Sequence, residues 1–137
     1  MDADFSQNPY STSATSYMEL SGITATVTVP AGRHATVVAN FSAEAVMFGS
    51  AGDRCSVRVL IDGQPMQPAE GVDDTFDSVS DGAGFDSAEQ HTIVRFAPGV
   101  GPGDHVLIVQ AALTKTGAET PQCRLDDSAF VAQAIEQ

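Results

Sequence analysis

Three histidines are the side chains of this chain best suited to bind a metal or to move a proton. His34, His91 and His105 lie in three separate β-prone runs, and no HxH or HExxH spacing connects them. His34 and His105 each follow a proline and glycine turn and begin a strand-like run. A ring at such a position covers a sheet edge or hydrogen-bonds a loop carbonyl, so we interpret both histidines as structural.

A second candidate for chemistry is the acidic stretch DDTFDSVSDGAGFD, which begins at Asp73. Calcium favours carboxylate and carbonyl ligands on loops, and Asp73, Asp74, Asp77 and Asp81 are therefore the calcium candidates. The spacing does not match an EF-hand, because Asp77 and Asp81 are four residues apart and the bidentate glutamate is missing. A solvated loop is the simpler interpretation, and we predict no metal and no cofactor.

Motifs for nucleophilic catalysis and for phosphate binding are absent from the sequence. GxSxG does not occur, and neither does a glycine-rich loop of the Walker or dinucleotide type. Cys55 and Cys123 lie in strand-like runs without CxxC spacing, which leaves zinc and thioredoxin-like chemistry without support. They are either bridged, closing a loop of about 70 residues, or two buried thiols.

Because motifs for nucleophilic catalysis and for phosphate binding are absent, we predict that the protein is not an enzyme.

The charge of the chain limits its partners. Six basic residues stand against 18 acidic ones, which gives a net charge of −12. Such a charge repels phosphate backbones and anionic lipid headgroups, so we expect no nucleic-acid and no membrane partner.

The sequence has no 18-residue apolar run of the kind that spans a membrane. Its first residues lack a basic region followed by an apolar one, so a signal peptide is absent or has been removed.

The elements that must position these residues are short strands. In ITATVTV, residues 23–29, apolar side chains alternate with threonines, which is the pattern of a half-buried strand. The run CSVRVLID, residues 55–62, alternates in the same way and ends at an Asp62–Gly63 turn signal. The same alternation predicts three further inward-facing sets: Ala35, Val37, Ala39 and Phe41; Cys55, Val57, Val59 and Ile61; and Thr92, Val94 and Phe96.

The remaining runs complete an all-β fold. VLIVQAAL, residues 106–113, is apolar on both faces and is typical of a central strand. A last strand is predicted over 123–131, with Phe130 pointing opposite to Leu125 and Val131. Short strands near 17–20 and 75–78 bring the count to about eight. We predict an antiparallel two-sheet β-sandwich, with a jelly roll as the first choice of connectivity.

The first 16 residues differ from the rest in composition. MDADFSQNPYSTSATS is polar and serine-rich, and alone it is typical of a flexible tail. A segment of this kind becomes ordered mainly on another surface. We therefore predict an N-terminal arm, 1–16, that docks on a partner subunit, followed by a sandwich domain, 17–137. The predicted partner-binding residues are Phe5, Pro9, Tyr10 and Tyr17.

Several stretches resemble a known group of proteins. They are TSYMELSGITATVTVPAGRHATVVANFSAE, CSVRVLIDG, and GPGDHVLIVQ with RLDD. These stretches resemble small β-sandwich domains of actinobacterial proteins and of the virion proteins of their phages, over most of residues 15–131. Such domains are similar to the jelly rolls of tumour necrosis factor-like trimers, and in phages they decorate capsids or tip tails and fibres. The chain departs from the pattern at Ser128 and Ala129, where an aromatic is common.

The resemblance implies a non-enzymatic structural virion protein, associated with the capsid as a decoration protein or with a tail or fibre. It implies capsid or tail subunits as partners, a homo-oligomer with a trimer favoured, and a location in the virion or otherwise outside the cell. The alternative is a carbohydrate- or cell-surface-binding module that uses loop residues with or without calcium. Tryptophan is absent and the two tyrosines lie near the N-terminus, which leaves few aromatic platforms for sugar stacking.

Overall fold

A computed structural model describes residues 1–69, 74–79 and 88–137. Within these ranges the chain forms strands and turns without a helix, so no described segment is a helix able to cross a membrane. The strands are β1 (Asp2–Ser6), β2 (Tyr10–Thr12), β3 (Met18–Val29), β4 (Ala35–Phe48), β5 (Arg54–Ile61), β6 (Gln64–Pro65), β7 (Thr75–Ser78), β8 (Glu89–Val100), β9 (Gly103–Thr114) and β10 (Gln122–Glu136).

The strands form two antiparallel sheets that pack face to face. Sheet A has the order β1, β10, β4, β8, and β2 also pairs with β10. Sheet B has the order β3, β9, β5, β6, and β7 also pairs with β5. With the short strands β2 and β6 set aside, sheet A contains the first, eighth, third and sixth of the eight main strands, and sheet B contains the others. This is the connectivity of a jelly roll, and the predicted antiparallel β-sandwich is confirmed.

The core lies between the sheets and follows from strand alternation. Every second residue of β4 from Ala35 to Met47 is fully buried, and β3 alternates in the same way from Ile23 to Val29. Phe41 occupies the centre, where its ring lies 5.7 Å from that of Phe76 and 6.5 Å from that of Phe130. The predicted inward sets of β3, β4 and β5 are confirmed.

The strand β8 presents the opposite face from the one predicted. Its inward side chains include Arg95, which is 9% exposed. The Arg95 guanidinium lies 3.0 Å from the Asp74 carboxylate and donates to the Val94 carbonyl at 2.9 Å. A buried arginine is tolerated here because Asp74 supplies the opposite charge. The following side chains face outward, and their predicted inward orientation was wrong: Thr92, Val94 and Phe96.

A β-bulge changes the register of β10. It lies between Asp126 and Ala129, and Asp127 there has a positive φ of 46°. The irregular residues shift the alternation, so Leu125 and Phe130 both face the core although five positions separate them. The prediction that Phe130 points opposite to Leu125 was wrong for this reason.

The N-terminal segment is part of sheet A. β1 pairs with β10 along its whole length and is the first main strand of the jelly roll. Its Asp2 and Asp4 carboxylates accept the backbone N–H groups of Thr26 and Thr24 at 2.9 and 3.1 Å, at the outer edge of β3. The hydrogen bond from the Thr26 N–H, and then that from the Ala3 N–H, lower the pKa of Asp2. The contacts of both carboxylates with β3 cap the sheet edge. The expected arm 1–16 therefore lies on its own chain, and its contact with a partner stays a prediction.

A disulfide joins the two sheets inside the core. Cys55 on β5 and Cys123 on β10 are bonded, with their Cα atoms 6.0 Å apart. Both residues are fully buried. Of the two states that the sequence left open, the bridged one is present.

A buried carboxylate organises the end of the sandwich near the β4–β5 turn. Asp53 is fully buried and accepts the N–H groups of Ser50 at 2.8 Å and of Thr116 at 2.6 Å. The Thr116 hydroxyl donates to it as well, at 3.0 Å. Burial alone raises the pKa of Asp53, but these hydrogen bonds outweigh burial and leave it below its ordinary value. Asp53 therefore binds two loops together as a carboxylate.

Candidate functional site

An open groove lies at the other end of the sandwich, where the β5–β6 turn faces the β8–β9 turn. It has a volume of about 390 Å³. We call it the His105 groove, and its lining residues are Ile61, Asp62, Gln64, Pro65, Gln67, Phe96, Ala97, Pro98, Gly99, Val100, Gly101 and His105. The groove therefore combines three apolar ring side chains with two amides, one carboxylate and one imidazole.

The β5–β6 turn forms one wall of the groove. Asp62 and Gly63 connect the paired residues Ile61 and Gln64, and both turn residues have positive φ, 48° and 80°. A two-residue loop with two positive φ angles is the type I′ turn that joins right-twisted strands, as the Asp–Gly sequence predicted. The Asp62 N–H donates to the Val106 carbonyl at 2.9 Å, and Asp62 Oδ1 accepts the Val106 N–H at 3.0 Å. The turn is thus fixed to β9.

The His105 ring connects the two walls. Its Nδ1 lies 2.6 Å from Asp62 Oδ2, and its Nε2 lies 2.9 Å from the Gly101 carbonyl oxygen. A carboxylate and a carbonyl are both acceptors, so both hydrogen bonds form together when each ring nitrogen donates, which is the case for the protonated imidazolium. The hydrogen bond to Asp62 raises the pKa of His105, and the same bond lowers the pKa of Asp62.

This arrangement defines the role of His105. An imidazolium with both N–H groups engaged has no lone pair for a metal ion and cannot act as a base. The ring holds the Gly101 loop against the Asp62 turn, which is the loop-carbonyl contact that the sequence predicted for a structural histidine. His105 therefore fixes the shape of the groove.

We expect the His105→Ala variant to lose stability in a pH-dependent way. The raised pKa of His105 gives stabilisation that is present below about pH 6.5 and is lost as the pH rises through that raised value. The lowered pKa of Asp62 gives stabilisation that is present above about pH 4 and is lost as the pH falls through that lowered value. The loss is therefore largest near pH 5 to 6, at about 1 kcal/mol.

Urea unfolding of the wild type and of His105→Ala from about pH 4 to pH 9 measures this difference. The exposed His34 provides the control, and His34→Ala should leave the unfolding free energy unchanged within about 0.5 kcal/mol at every pH. An equal loss for His105→Ala at both ends of the pH range would contradict the ion pair.

The opposite wall of the groove is tied across the sheets by backbone hydrogen bonds. Gln67 and Phe96 exchange N–H to carbonyl bonds, both at 2.7 Å, so the chain after β6 is joined to β8. The Phe96 side chain is 43% exposed. The side chains of Gln64, Pro65 and Pro98 are also exposed. The groove thus presents apolar ring surfaces and planar amides from a rigid backbone.

A second hollow lies near the opposite end of β9. We call it the Tyr17 hollow, and it has a volume of about 340 Å³ with Thr15, Tyr17, Ser56, Ala112, Leu113, Thr114 and Lys115 as its lining. The Arg58 guanidinium lies 3.9 Å from the centre of the Tyr17 ring and covers one face of it. Burial, and then the negative charge of Asp74, raise the pKa of Tyr17. Because Arg58 already covers the ring, the His105 groove is the better candidate site.

The predicted partner-binding residues are dispersed. Phe5 is 74% exposed on the outer side of sheet A, and Pro9 is exposed in the turn between β1 and β2. Tyr10 is half-buried against the core, and Tyr17 lies under Arg58. The structure therefore does not bring these four residues into one site, and their binding of a partner stays a prediction.

The other predicted chemical residues do not assemble a metal centre in the described part of the chain. Asp74 is paired with Arg95, and Asp77 lies 3.7 Å from the His91 ring. Asp73 and Asp81 lie outside the described residues. Over 1–69, 74–79 and 88–137, no group of three or more histidine, cysteine or acidic side chains has the geometry to hold a metal ion. The interpretation of the acidic stretch as a solvated loop without a metal stays a prediction.

Comparisons with known proteins were made for sequence and for structure. No family model and no curated protein matches the sequence. One similar solved structure is a carbohydrate-binding module, CBM36, in complex with calcium and xylotriose, at 11% identity over 97% of this chain and 100% of that chain, with a TM-score of 0.38. Another is the CBM36-1 domain of a multidomain xylanase from the hindgut metagenome of Trinervitermes trinervoides, at 11% identity over 90% of this chain and 97% of that chain, with a TM-score of 0.34. Superpositions this loose transfer neither a ligand nor a site, so function is argued from the groove itself.

Sequence reasoning missed the groove as a site, although it noted parts of it. The Asp62 turn and His105 were both recognised, but separately. Phe96 was assigned to the core, which removed the one aromatic platform that the groove offers. Local alternation offers no signal that places Phe96 outside, because the opposite face of β8 contains His91 and Arg95 and is the more polar of the two.

Proposed function

We propose that the protein is a non-catalytic binding module that takes a short, neutral saccharide in the His105 groove. The observation behind the proposal is the exposed Phe96 beside the planar polar side chains of Gln64, Gln67 and Asp62. Sugar rings have apolar C–H faces and a rim of hydroxyls. An aromatic or proline surface matches the faces, and amide and carboxylate groups match the hydroxyls.

The size of the groove agrees with this class of ligand. Its volume of about 390 Å³ is near the lower end of the ~300–1,000 Å³ found for small-molecule sites. An open groove rather than a closed cavity also admits part of a longer chain. A short stretch of oligosaccharide therefore fits better than a large cofactor.

The rigidity of both walls supports binding. The type I′ turn is fixed to β9, the His105 ring bridges Asp62 and Gly101, and Gln67 is paired with Phe96. A binding site that is held in place by such bonds loses little conformational entropy when a ligand enters. A preorganised site of this kind can bind a ligand without a conformational change of the protein.

The charge and the disulfide agree with a role outside the cell. A net charge of −12 disfavours anionic ligands, which selects neutral glycans over acidic ones. The buried disulfide between Cys55 and Cys123 is typical of proteins that fold in an oxidising compartment. Both ring nitrogens of His105, the imidazole of the groove lining, are engaged by Asp62 and the Gly101 carbonyl, which supports binding rather than catalysis.

The proposal predicts that Phe96→Ala weakens glycan binding about tenfold, because the stacking surface for the sugar ring is removed. Phe48→Ala is the matched control, since Phe48 is 38% exposed on the outer side of the same sheet but near the other end of β4. A glycan array identifies the ligand, and titration calorimetry with that oligosaccharide compares the wild type with both variants.

Two results would overturn the proposal: no reproducible glycan on the array, or equal losses for Phe96→Ala and Phe48→Ala. The array is run with and without a chelator. Binding that needs calcium would assign part of the site to the acidic stretch that includes Asp73 and Asp81, whereas binding that survives the chelator assigns it to the groove alone.

A structural role in a virion is the second candidate. The feature that favours it is the exposed apolar surface on the outer side of sheet A, which suits contact with another protein subunit. Co-purification of the chain with capsid or tail subunits would support this role. Recovery of the chain alone, with a glycan bound, would favour the module.

A further inference from the structure

The β8–β9 turn forms part of the lining of the His105 groove. It consists of Gly101 and Pro102, between the last residue of β8 and the first residue of β9. Glycine adopts a wide range of backbone conformations and proline has no N–H to donate, so the turn contributes little to its own fixation. The His105 ring holds it from outside, because its Nε2 lies 2.9 Å from the Gly101 carbonyl oxygen.

The same ring is also held by the opposite wall of the groove. His105 Nδ1 lies 2.6 Å from Asp62 Oδ2, and Asp62 Oδ1 accepts the Val106 N–H at 3.0 Å. One imidazole therefore connects two turns that belong to different pairs of strands. Both connections need a proton on the ring nitrogen, whereas a neutral imidazole has one N–H group and one lone pair.

Loss of one proton breaks one particular connection. The Asp62 carboxylate is a stronger acceptor than the Gly101 carbonyl, because it is charged. The proton that a neutral ring retains therefore stays on Nδ1, between His105 and Asp62. The lone pair of Nε2 then faces the carbonyl oxygen of Gly101, and these two acceptors repel each other.

We propose that His105 is a pH-dependent positioning residue: its protonated ring holds the β8–β9 turn in the groove, and its neutral ring releases that turn. Release changes one wall of the groove and weakens saccharide binding. This second step rests on the proposed function, whereas release of the turn does not.

The pH at which the turn is released follows from the contacts of the ring. The hydrogen bond to Asp62, opposed in part by burial and supported by the bond to Gly101, raises the pKa of His105. The protonated ring is thus the main form below about pH 6.5, the ordinary value for histidine, and it is lost as the pH rises through the raised pKa.

The charged groups around the ring favour its protonated form. Asp62 contacts it from the β5–β6 turn, and Asp104 precedes it on β9 and adds a second negative charge. On β3 the apolar Val27 pairs with His105, and the residues that β8 contributes to the groove lining carry no charge.

The β3–β4 turn lies beside the β8–β9 turn, as the strand register shows. It contains Arg33, whose guanidinium lies 4.0 Å from the carboxylate of Glu136. It also contains the exposed His34. His34 is a second imidazole at this end of the sandwich, and His34→Ala is therefore the control variant.

The decisive variant is Asp62→Asn. It keeps an oxygen for the Val106 N–H and replaces the oxygen that faces His105 Nδ1 with an amide NH₂ group. A neutral ring can then accept from this amide at Nδ1 and donate from Nε2 to the Gly101 carbonyl. The variant should therefore hold the turn with a neutral ring, which the wild type cannot do.

NMR of the full chain without a ligand tests release of the turn. Side-chain nitrogen shifts of His105 give its protonation state, and carbon-detected spectra follow the Gly101 carbonyl, since Pro102 has no N–H. Between about pH 5.5 and about pH 9, the backbone order parameter at Gly101 should fall from about 0.85 to about 0.6 in the wild type. His34→Ala should behave like the wild type, and Asp62→Asn should stay above about 0.8 at the higher pH.

Calorimetry with the oligosaccharide that the array identifies tests the second step. The dissociation constant should rise about three- to tenfold over the same pH range in the wild type, and less than about twofold in Asp62→Asn. An unchanged dissociation constant in a wild type whose turn is released would contradict the control of binding by His105.

Release of the turn is disproved if the neutral ring of the wild type keeps its contact with Gly101, or if Asp62→Asn loses order at the higher pH as the wild type does. A glycan array without a reproducible ligand would overturn the proposed function and its control by pH. The NMR titration would still decide whether His105 releases the turn.

Discussion

Replacing both bridged cysteines, in the variant Cys55→Ala with Cys123→Ala, is expected to lower the unfolding free energy by about 4 kcal/mol. The disulfide closes a loop with a sequence separation of 68 residues, and in the chain-entropy description its removal returns that much freedom to the unfolded state. The bridge also joins the two sheets at a fully buried position. Thermal unfolding should show a decrease in Tm of roughly 10–15 °C.

The reductant supplies the control for this prediction. Fully reduced wild type, verified by alkylation and mass measurement, should melt close to the double variant, and the double variant should be insensitive to the same reductant. If the reduced wild type keeps its original Tm, the bridge contributes nothing and the sheets are held together by packing alone.

Replacement of Asp53 is expected to have an effect of similar size. Asp53→Ala leaves the N–H groups of Ser50 and Thr116 and one hydroxyl bond without their acceptor at a fully buried position. Donors left unsatisfied in this way cost about 1–3 kcal/mol each when water cannot reach them, and we expect a total loss of about 3 kcal/mol. Asp53→Asn keeps one oxygen in place and should lose about half as much.

The pH dependence separates this carboxylate from ordinary packing. Because the folded-state pKa of Asp53 is lowered, its stabilisation is present above about pH 4 and is lost as the pH falls through that lowered pKa. Urea unfolding at pH 7 and pH 3 should show a smaller difference between wild type and Asp53→Asn at the lower pH. The same difference at both values would mean that Asp53 contributes through shape and not through charge.

The sandwich could be predicted because the sequence pattern of its central strands identifies which of their side chains face the core. In β3, β4 and β5 the buried side chains are apolar and the outer ones are mostly polar, so period-2 alternation identifies the core. In β8 both faces contain apolar residues, and the true inner face includes Arg95. Its burial depends on Asp74, a partner 21 residues away, and no local pattern reveals that pairing.

Neither the register of β10 nor the groove could be predicted from the sequence, because each depends on features that local alternation does not show. The positive φ of Asp127 inserts a bulge, and one irregular residue reverses the face of everything after it. The groove needs the β5–β6 and β8–β9 turns to meet, which follows from jelly-roll connectivity and not from either segment. Asp62 and His105 were both visible, but their 2.6 Å contact spans 43 positions of sequence.

The length of β9 has a practical consequence for any surface-based measurement. The strand begins at Gly103, beside the His105 groove, and ends at Thr114, next to Lys115. The groove and Lys115 therefore lie about 40 Å apart along one extended segment. Lys115 is the only lysine in the sequence, and it is exposed. Attachment to a sensor chip that is restricted to the side-chain amine of Lys115 would direct the groove away from the support.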